Sequence, residues 1–250
     1  MRGGGAEVTD DLGLPVPLPA AVRRVVSLVP SLTEAVAEGS GGLLVGVTRW
    51  CTHPADLTAE RVGGTKNPDV ARIVALSPDL AALRAAGVPV WVTRVRSLPE
   101  GLTSLHRMLT LACRLPRPAW LDAAAAAWEQ LPSRPRRAAV IPVWRRPWMV
   151  LGRDTFAGDL LARLGVVNLY AGHEERYPRI GLQELRGSGA DLVVLPDEPY
   201  RFSETDGPEA FPGVPAALVS GRHLTWYGPS LAEAPAVLGR QLEQAVARQT

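Results

Sequence analysis

Residues 23–54, RRVVSLVPSLTEAVAEGSGGLLVGVTRWCTHP, constrain the fold more than any other stretch of the chain. An apolar strand ends in a Pro-Ser-Leu-Thr-Glu turn that opens a helix. A second apolar strand then ends in an aromatic, a thiol and an imidazole. Strand, crossover helix and strand make a unit whose two strands lie parallel in one sheet. Ligands of open α/β sheets sit outside the carboxyl ends of the strands. Both strand exits here carry side chains suited to ligand contact.

The rest of the chain repeats this logic. Residues 7–19 read as two short extended pieces around an Asp-Asp-Leu-Gly turn. Strands are expected at Val25–Val29, Leu43–Val47 and Val88–Val95. Ser31 or Thr33 is expected to cap the first helix, with Glu34 in its first turn. Lys66-Asn67-Pro68-Asp69 precedes a helix that stops at Ser77-Pro78. Residues 98–115 form one amphipathic helix, and Ala119–Leu131, with its alanine run, another. The second would be about 20 Å long at 1.5 Å per residue. SRPRR (133–137) marks a boundary. Beyond it come a strand at Ala138–Trp144, the loop RRPWMVLGRDT and a helix at Thr155–Leu164. An extended piece follows at Val166–Leu169, then a loop carrying HEERYP and a helix near Gln183. Strands at Asp191–Leu195 and Ala216–Val219 precede a terminal helix from about Pro229 to Arg248. This predicts an α/β protein with an N-terminal lobe (1–97), a helical section (98–135) and a C-terminal lobe (136–250).

Composition excludes several classes. Apolar residues make up 46% and charged residues 21% of the 250, an ordinary globular profile. A net charge of +2 argues against nucleic acid as a partner. Two cysteines, Cys51 and Cys113, make no disulfide framework. Cys113 lies on an apolar helix face and reads as a buried thiol. The start, MRGGGAEVTDDLG, lacks the apolar run of about 7–15 residues of a secretory signal. No stretch reaches the roughly 18 apolar residues of a membrane helix. As written, the protein is expected in the cytoplasm; an incomplete N-terminus would instead permit a periplasmic or extracellular, membrane-anchored one.

The aromatics fall where ligands bind. Trp50, Trp144, Trp148 and Trp226, four of the seven tryptophans, lie at expected strand exits or in the loops after them. Tyr177, Tyr200 and Tyr227 do the same. Aromatics on loops offer wide, rigid contact area, which suits a flat, conjugated ligand; packing of the lobes is the alternative.

Three phrases carry a resemblance. GVTRWCTHP (46–54), RRPWMVLG (145–152) and ERYPRIG (175–181) make the chain similar to class III solute-binding proteins, the helical-backbone family for cobalamin and ferric siderophores. The resemblance implies two Rossmann-like parallel-sheet lobes joined by a helical spine, here 119–131, with the ligand in the cleft between them. Trp50 takes the place of an aromatic that packs on the corrin of a cobalamin-binding member. Trp148 and Tyr177 take the places of a ligand-facing phenylalanine and tryptophan, and Thr65 replaces a further aromatic. The expected function is reversible binding of a metal chelate (a corrinoid, haem or a ferric chelate) with no intrinsic cofactor, no catalysis and a monomeric chain. Besides the aromatics Trp50, Trp148, Tyr177, Trp226 and Tyr227, the polar groups Glu34, Lys66, Arg145 and Asp197 are expected to hold the ligand. A component of an ABC importer and a chelate-processing enzyme are the alternatives. Where importer subunits carry a permease-docking acid on each lobe, this chain has Ala71 and Gln183, with Glu184 adjacent. Relative to the family, a strand and loop of about a dozen residues are missing after Leu80.

Other residues leave alternatives open. Cys51 and His53 form a Cys-x-His pair able to ligate a soft or borderline metal if His173, Glu174 or His223 supplied a third ligand; otherwise Cys51 packs and His53 hydrogen-bonds near the turn. A nucleophilic Cys51 needs a base and an orienting group, and no acid is evident. Asp197-Glu198 either grip a cationic ligand edge or form a turn and helix cap. Arg145, Arg146 and Arg222 either meet ligand anions or pair with other groups.

Overall fold

The structure, a computed structural model, describes residues 8–63 and 89–247. It divides into two compact units. One comprises Met1–Arg94, Leu102–Leu121 and Tyr227–Pro229, the other Val95–Gly101, Asp122–Trp226 and Ser230–Thr250.

In the first unit, β1 (Val25–Ser27), α1 (Pro30–Ser40), β2 (Leu44–Val47) and β3 (Glu60–Arg61) build a three-stranded sheet of order β1-β2-β3. Both pairings are parallel. Pro30 occupies the first turn of α1, where its missing N–H costs nothing and its fixed φ suits the helix. The expected side-chain cap does not form. Val29 is the N-cap, and no side chain caps it. Thr33 turns back instead, its hydroxyl 3.0 Å from the Val29 carbonyl and 2.8 Å from Ser27 Oγ. Glu34 falls beyond the first turn and is buried. Ala35, Val36 and Val47 lie inside, and Val62 and Val90 form a small core with Val26, Leu28 and Val92.

The N-terminal hairpin is present as expected. Thr9 bridges Pro15, and Asp10 Oδ1 accepts from the amides of Leu12 and Leu14 at 2.9 and 3.0 Å. Gly13 takes φ 77, which L-residues with a Cβ rarely adopt. Asp11 ties this hairpin down: its carboxylate accepts from Arg107 at 2.7 Å and from the Arg94 amide at 3.1 Å. Arg107 in turn lies 5.3 Å from the Trp91 ring centroid. The strand expected at Val88–Val95 is not found over its described part: residues 89–95 join no ladder. The expected helix before Ser77-Pro78, and the stretch around Leu80, lie outside the described residues.

Residues 98–115 are not one regular helix. α2 (Leu98–Arg107) passes into a π-helical turn, Met108–Ala112. Thr110 Oγ1 donates to the His106 carbonyl at 2.8 Å, a back-bond that competes with the helical ladder. Arg114 then takes φ 58, and the Leu115 amide reaches the Leu109 carbonyl at 2.9 Å, a left-handed termination. α3 (Ala119–Glu129) follows.

The second unit holds a wholly parallel sheet of order β7-β4-β8-β9. Its strands are β4 (Arg137–Val140), β7 (Val166–Asn168), β8 (Leu192–Pro196) and β9 (Ala216–Val219). Every residue of β8 is buried, as in a parallel sheet covered on both faces. The strand expected over Ala138–Trp144 is in fact two. β4 stops at Val140, and Pro142 opens β5 (Pro142–Arg145), which pairs antiparallel with β6 (Trp148–Val150). Pro142 has no N–H to continue a central ladder, so the chain leaves the parallel sheet there. The segment expected as a loop therefore contains β6. α4 (Phe156–Arg163) is capped by Thr155, which accepts from the Gly158 amide at 3.2 Å. α5 (Leu182–Arg186) and α6 (Gly221–Thr225) are short. The terminal helix is also divided: a 3-10 turn, Pro229–Ala232, precedes α7 (Ala234–Ala247). A helix continuous from Pro229 would place Pro235 in its interior. Starting at Ala234 puts that proline in the first turn, where it is tolerated.

Candidate functional site

In the first unit the candidate site residues Trp50, Cys51 and His53 lie in the turn after β2. The Cys51 amide bonds the Thr48 carbonyl at 3.1 Å, and the Arg49 amide bonds the Gly63 carbonyl at 3.0 Å. Arg61 Nη1 donates to the carbonyls of Thr48 and Cys51 at 3.0 and 2.6 Å. Cys51 is fully buried, with Sγ 3.0 Å from Thr33 Oγ1 and 3.1 Å from Thr48 Oγ1. The turn is thus fastened from inside, and Trp50 is left 62% exposed. The Arg49 guanidinium carbon lies 5.9 Å from the Trp50 ring centroid. His53 is half-buried, with Nδ1 3.1 Å from Thr52 Oγ1.

Glu34 and the backbone of Gly228, next to Tyr227, approach one another in the same unit. A Cβ at Gly228 would lie 3.0 Å from the Ser31 carbonyl and 3.5 Å from Glu34 Oε2, so the backbone beside Tyr227 passes closely over α1. The Tyr227 hydroxyl is 3.3 Å from Thr93 Oγ1. Lys66, Thr65 and Ala71 lie outside the described residues.

In the second unit the β5–β6 hairpin carries the aromatics. Trp144 is 42% exposed and meets Tyr200 edge-on at 5.6 Å. Tyr200 packs on Phe202 at 4.7 Å, and Trp148 stacks on Phe202 at 6.1 Å and meets Phe211 edge-on at 5.5 Å. Trp148 is therefore half-buried in a ring cluster continuous with the core. The Arg145 guanidinium carbon lies 5.5 Å from its ring centroid. Arg145 is paired with Asp206 and Glu209, so its charge is met within this unit. Burial pushes the Glu209 carboxyl up, but the Gly207 amide and Arg145 outweigh it and hold the group below its ordinary range.

Tyr177 stands on a segment that extends the hairpin. The Val150 amide bonds the Pro178 carbonyl at 3.1 Å, the Ile180 amide bonds that of Trp148 at 3.2 Å, and the Gly152 amide bonds that of Arg176 at 2.9 Å. Tyr177 is 45% exposed, with the Arg176 guanidinium carbon 5.8 Å from its centroid. Trp148 and Tyr177 are thus brought onto one antiparallel platform, and Trp144 joins them.

The remaining expected residues sit in turns or inside. Asp197 Oδ1 accepts from the Gly221 amide at 2.6 Å, the turn-and-cap arrangement. Trp226 is buried, donating to Glu198 Oε2 at 3.0 Å, with the Arg222 guanidinium carbon 6.0 Å from its centroid. His223 has Nδ1 2.7 Å from Ser220 Oγ and Nε2 3.0 Å from Glu233 Oε1. His173 Nδ1 accepts from the Glu175 amide at 3.0 Å. Among the described residues no three His, Cys, Asp or Glu side chains gather as a metal site. Phe202, Phe211, Asp206 and Glu209 were not expected from the sequence. They reach Trp148 and Arg145 across about 60 residues, and no local pattern marks such contacts. The arginines over Trp50 and Tyr177 were not expected either, although the dipeptides Arg49-Trp50 and Arg176-Tyr177 mark them.

No protein-family model matches this sequence, and no curated protein matches it. Solved structures do resemble the fold. The periplasmic vitamin B12-binding protein BtuF of Vibrio cholerae is similar with a TM-score of 0.72 and 18% identity, over 90% of this chain and 98% of that one. The periplasmic heme-binding protein RhuT from Roseiflexus sp. RS-1 gives 0.69 and 18%, over 90% and 99%. Helicobacter pylori CeuE with Ni(II) bound gives 0.77 and 13%, over 98% and 91%. The fold is that of class III solute-binding proteins, as the resemblance implied. The first two of these neighbours are periplasmic binding proteins, and neither supports the cytoplasmic location expected from the N-terminal sequence. Among the described residues no helix is long and apolar enough to cross a membrane.

Proposed function

We propose that this protein reversibly binds a metal-chelate small molecule, a corrinoid or siderophore-like compound, without transforming it. One observation carries the reading. Most large apolar side chains of the described residues are inside, yet Trp50, Trp144 and Tyr177 are 62%, 42% and 45% exposed, each on a backbone segment held by its own hydrogen bonds. Exposed aromatic rings on fixed supports serve a guest with an extended apolar face. Preorganised supports also spare the ordering cost of binding. The neighbours that bind vitamin B12 and heme share this fold, which favours the same class of guest.

Titration with cobalamin, cobinamide, haem and ferric siderophores, followed by visible absorption and tryptophan quenching, tests it. A saturable spectral change with at least one of them, weakened in Trp50→Ala, is expected. Silence from all of them rejects the reading.

A second reading, the binding component of an ABC importer outside the cytoplasm, draws on the periplasmic location of those neighbours. Gln183 is exposed on α5, where the resemblance leads one to expect a docking acid. A neutral amide makes no ion pair with a permease arginine, although Glu184 is exposed beside it. Stimulation of a reconstituted permease by the wild-type protein, lost in Glu184→Gln, is the outcome that supports this role.

A further inference from the structure

The N-terminal hairpin of the first unit holds aliphatic side chains out in water. Among the described residues the exposed large aliphatic side chains are Leu12, Leu14 and Leu169, and the first two, at 45% and 42%, share one turn. Gly13 between them and Pro15 after them are exposed as well. Val16 then turns inside, and its amide bonds the Val8 carbonyl at 2.8 Å. The tip is thus an apolar Leu-Gly-Leu-Pro protrusion on a fastened base.

The polar groups of this tip are already used. The buried Asp10 carboxylate accepts from the amides of Leu12 and Leu14 at 2.9 and 3.0 Å. The Gly13 amide bonds the Asp10 carbonyl at 3.0 Å, and the Asp10 amide bonds the Leu14 carbonyl at 2.9 Å. Pro15 has no N–H, so no backbone donor of residues 12–15 depends on water. Asp11 is withdrawn too, accepting from Ser104 Oγ, from the Arg107 guanidinium at 2.7 Å and from the Arg94 amide at 3.1 Å. Both acids of the Asp-Asp-Leu-Gly turn therefore face donors of the protein. The charge left beside the tip is positive: Arg94 is exposed, and among the described residues its guanidinium pairs with no carboxylate.

Size and chemistry together choose the occupant. A specific protein partner or a second copy needs about 800 Å² from each side, and a tip of four small or medium residues offers far less. A lipid boundary has no such threshold. It asks for apolar side chains, for amides satisfied within the protein, and for a cation at headgroup level where the lipid is anionic. The hairpin supplies all three. We infer that it is a lipid contact: Leu12 and Leu14 enter the interfacial layer of an anionic bilayer, and Arg94 meets the headgroups. With two leucines and one arginine the association is weak and reversible. This surface lies within the first unit and is independent of the chelate-binding reading.

Co-sedimentation of the full chain with vesicles tests it, using phosphatidylcholine alone and equal parts phosphatidylcholine and phosphatidylglycerol. Binding to the mixed vesicles is expected, stronger than to phosphatidylcholine alone and weakening as salt rises. The double variant Leu12→Ser, Leu14→Ser should bind about tenfold or more weaker. Leu12→Phe, Leu14→Phe should bind as well as the wild type or better. Arg94→Gln should lose about fivefold on the mixed vesicles and nothing on phosphatidylcholine. These exposed positions are expected to leave the urea midpoint in place, which separates lost lipid contact from lost folding. No binding of the wild type to the mixed vesicles overturns the inference, as does undiminished binding of the folded serine variant. Equal binding to both lipid compositions overturns the role of Arg94. Self-association of the wild type without vesicles, abolished in the serine variant, would assign the tip to a second copy and overturn the lipid contact.

Discussion

Thr33 Oγ1 lies 3.0 Å from Cys51 Sγ, joining the first turn of α1 to the turn that presents Trp50. Both groups are buried, and Thr48 Oγ1 approaches the same sulfur at 3.1 Å. The residue next to the most exposed tryptophan is thus an internal fastening. Cys51→Ala removes that sulfur and opens a gap beside the Thr48 hydroxyl, which loses its partner, while Thr33 keeps Ser27 and the Val29 carbonyl. A loss of about 1–3 kcal/mol is expected, read as a lower urea midpoint, together with a shift in Trp50 emission. An unaltered midpoint and spectrum would show that the thiol fastens nothing.

The tryptophans should separate by role. Trp50→Ala removes a largely exposed ring and should change stability by no more than about 0.5 kcal/mol. Trp144→Ala also loses the edge contact with Tyr200 and should cost about 1 kcal/mol. Chelate affinity should fall about tenfold or more in both. Trp148→Ala opens the ring cluster with Phe202 and Phe211 and should cost about 2–4 kcal/mol of stability. Denaturant curves beside binding titrations measure both. A destabilised Trp50→Ala with normal affinity would contradict this division.

Cys113 should be inert. Burial pushes its thiol from 9.0 up to about 11, because the apolar surroundings disfavour the thiolate. The folded state therefore holds its proton where the unfolded state releases it. The associated stability is fully present below pH 9, and is lost as pH rises from there through about 11. Thiol titration at pH 8 should detect little in the native protein and two thiols in denaturant. Rapid native labelling at Cys113 would refute the assignment.

Gly152 has no room for a side chain. A Cβ there would fall 2.1 Å from the Glu175 carbonyl and 3.0 Å from Pro178. Backbone, not a flexible side chain, blocks it, so Gly152→Ala must push the 175–178 segment outward. A destabilisation of about 1–3 kcal/mol is expected, with loss of chelate affinity because Tyr177 moves with that segment. Affinity equal to wild type would mean that Tyr177 plays no part in binding.

The sequence disclosed the elements whose signals are local. The Asp10–Gly13 turn, the helix opening at Thr155 and strand Ala216–Val219 each follow from a few adjacent residues with a fixed backbone preference. The exposed aromatics Trp50, Trp144 and Tyr177 were legible because they sit next to strand-ending signals. What stayed hidden depends on distant partners. Arg145 looked available as a ligand contact until Asp206 and Glu209 came beside it. Trp148 looked like a surface ring until Phe202 and Phe211 closed on it. Pro142 marks the split of 138–144 into two strands, but it lies inside an apolar run that continues to Trp144 and resembles a single buried strand.

The departure at Pro142 separates two tasks within one stretch of chain. β4 belongs to a parallel sheet whose register is fixed by buried neighbours on both sides. The hairpin after it pairs with β6 and with the strip at 178–180, and its buried side packs on Phe202 and Phe211. Under the proposed function, substitutions at the exposed positions 144, 146 and 177 are expected to alter which guest is accepted while the parallel sheet beneath keeps its register.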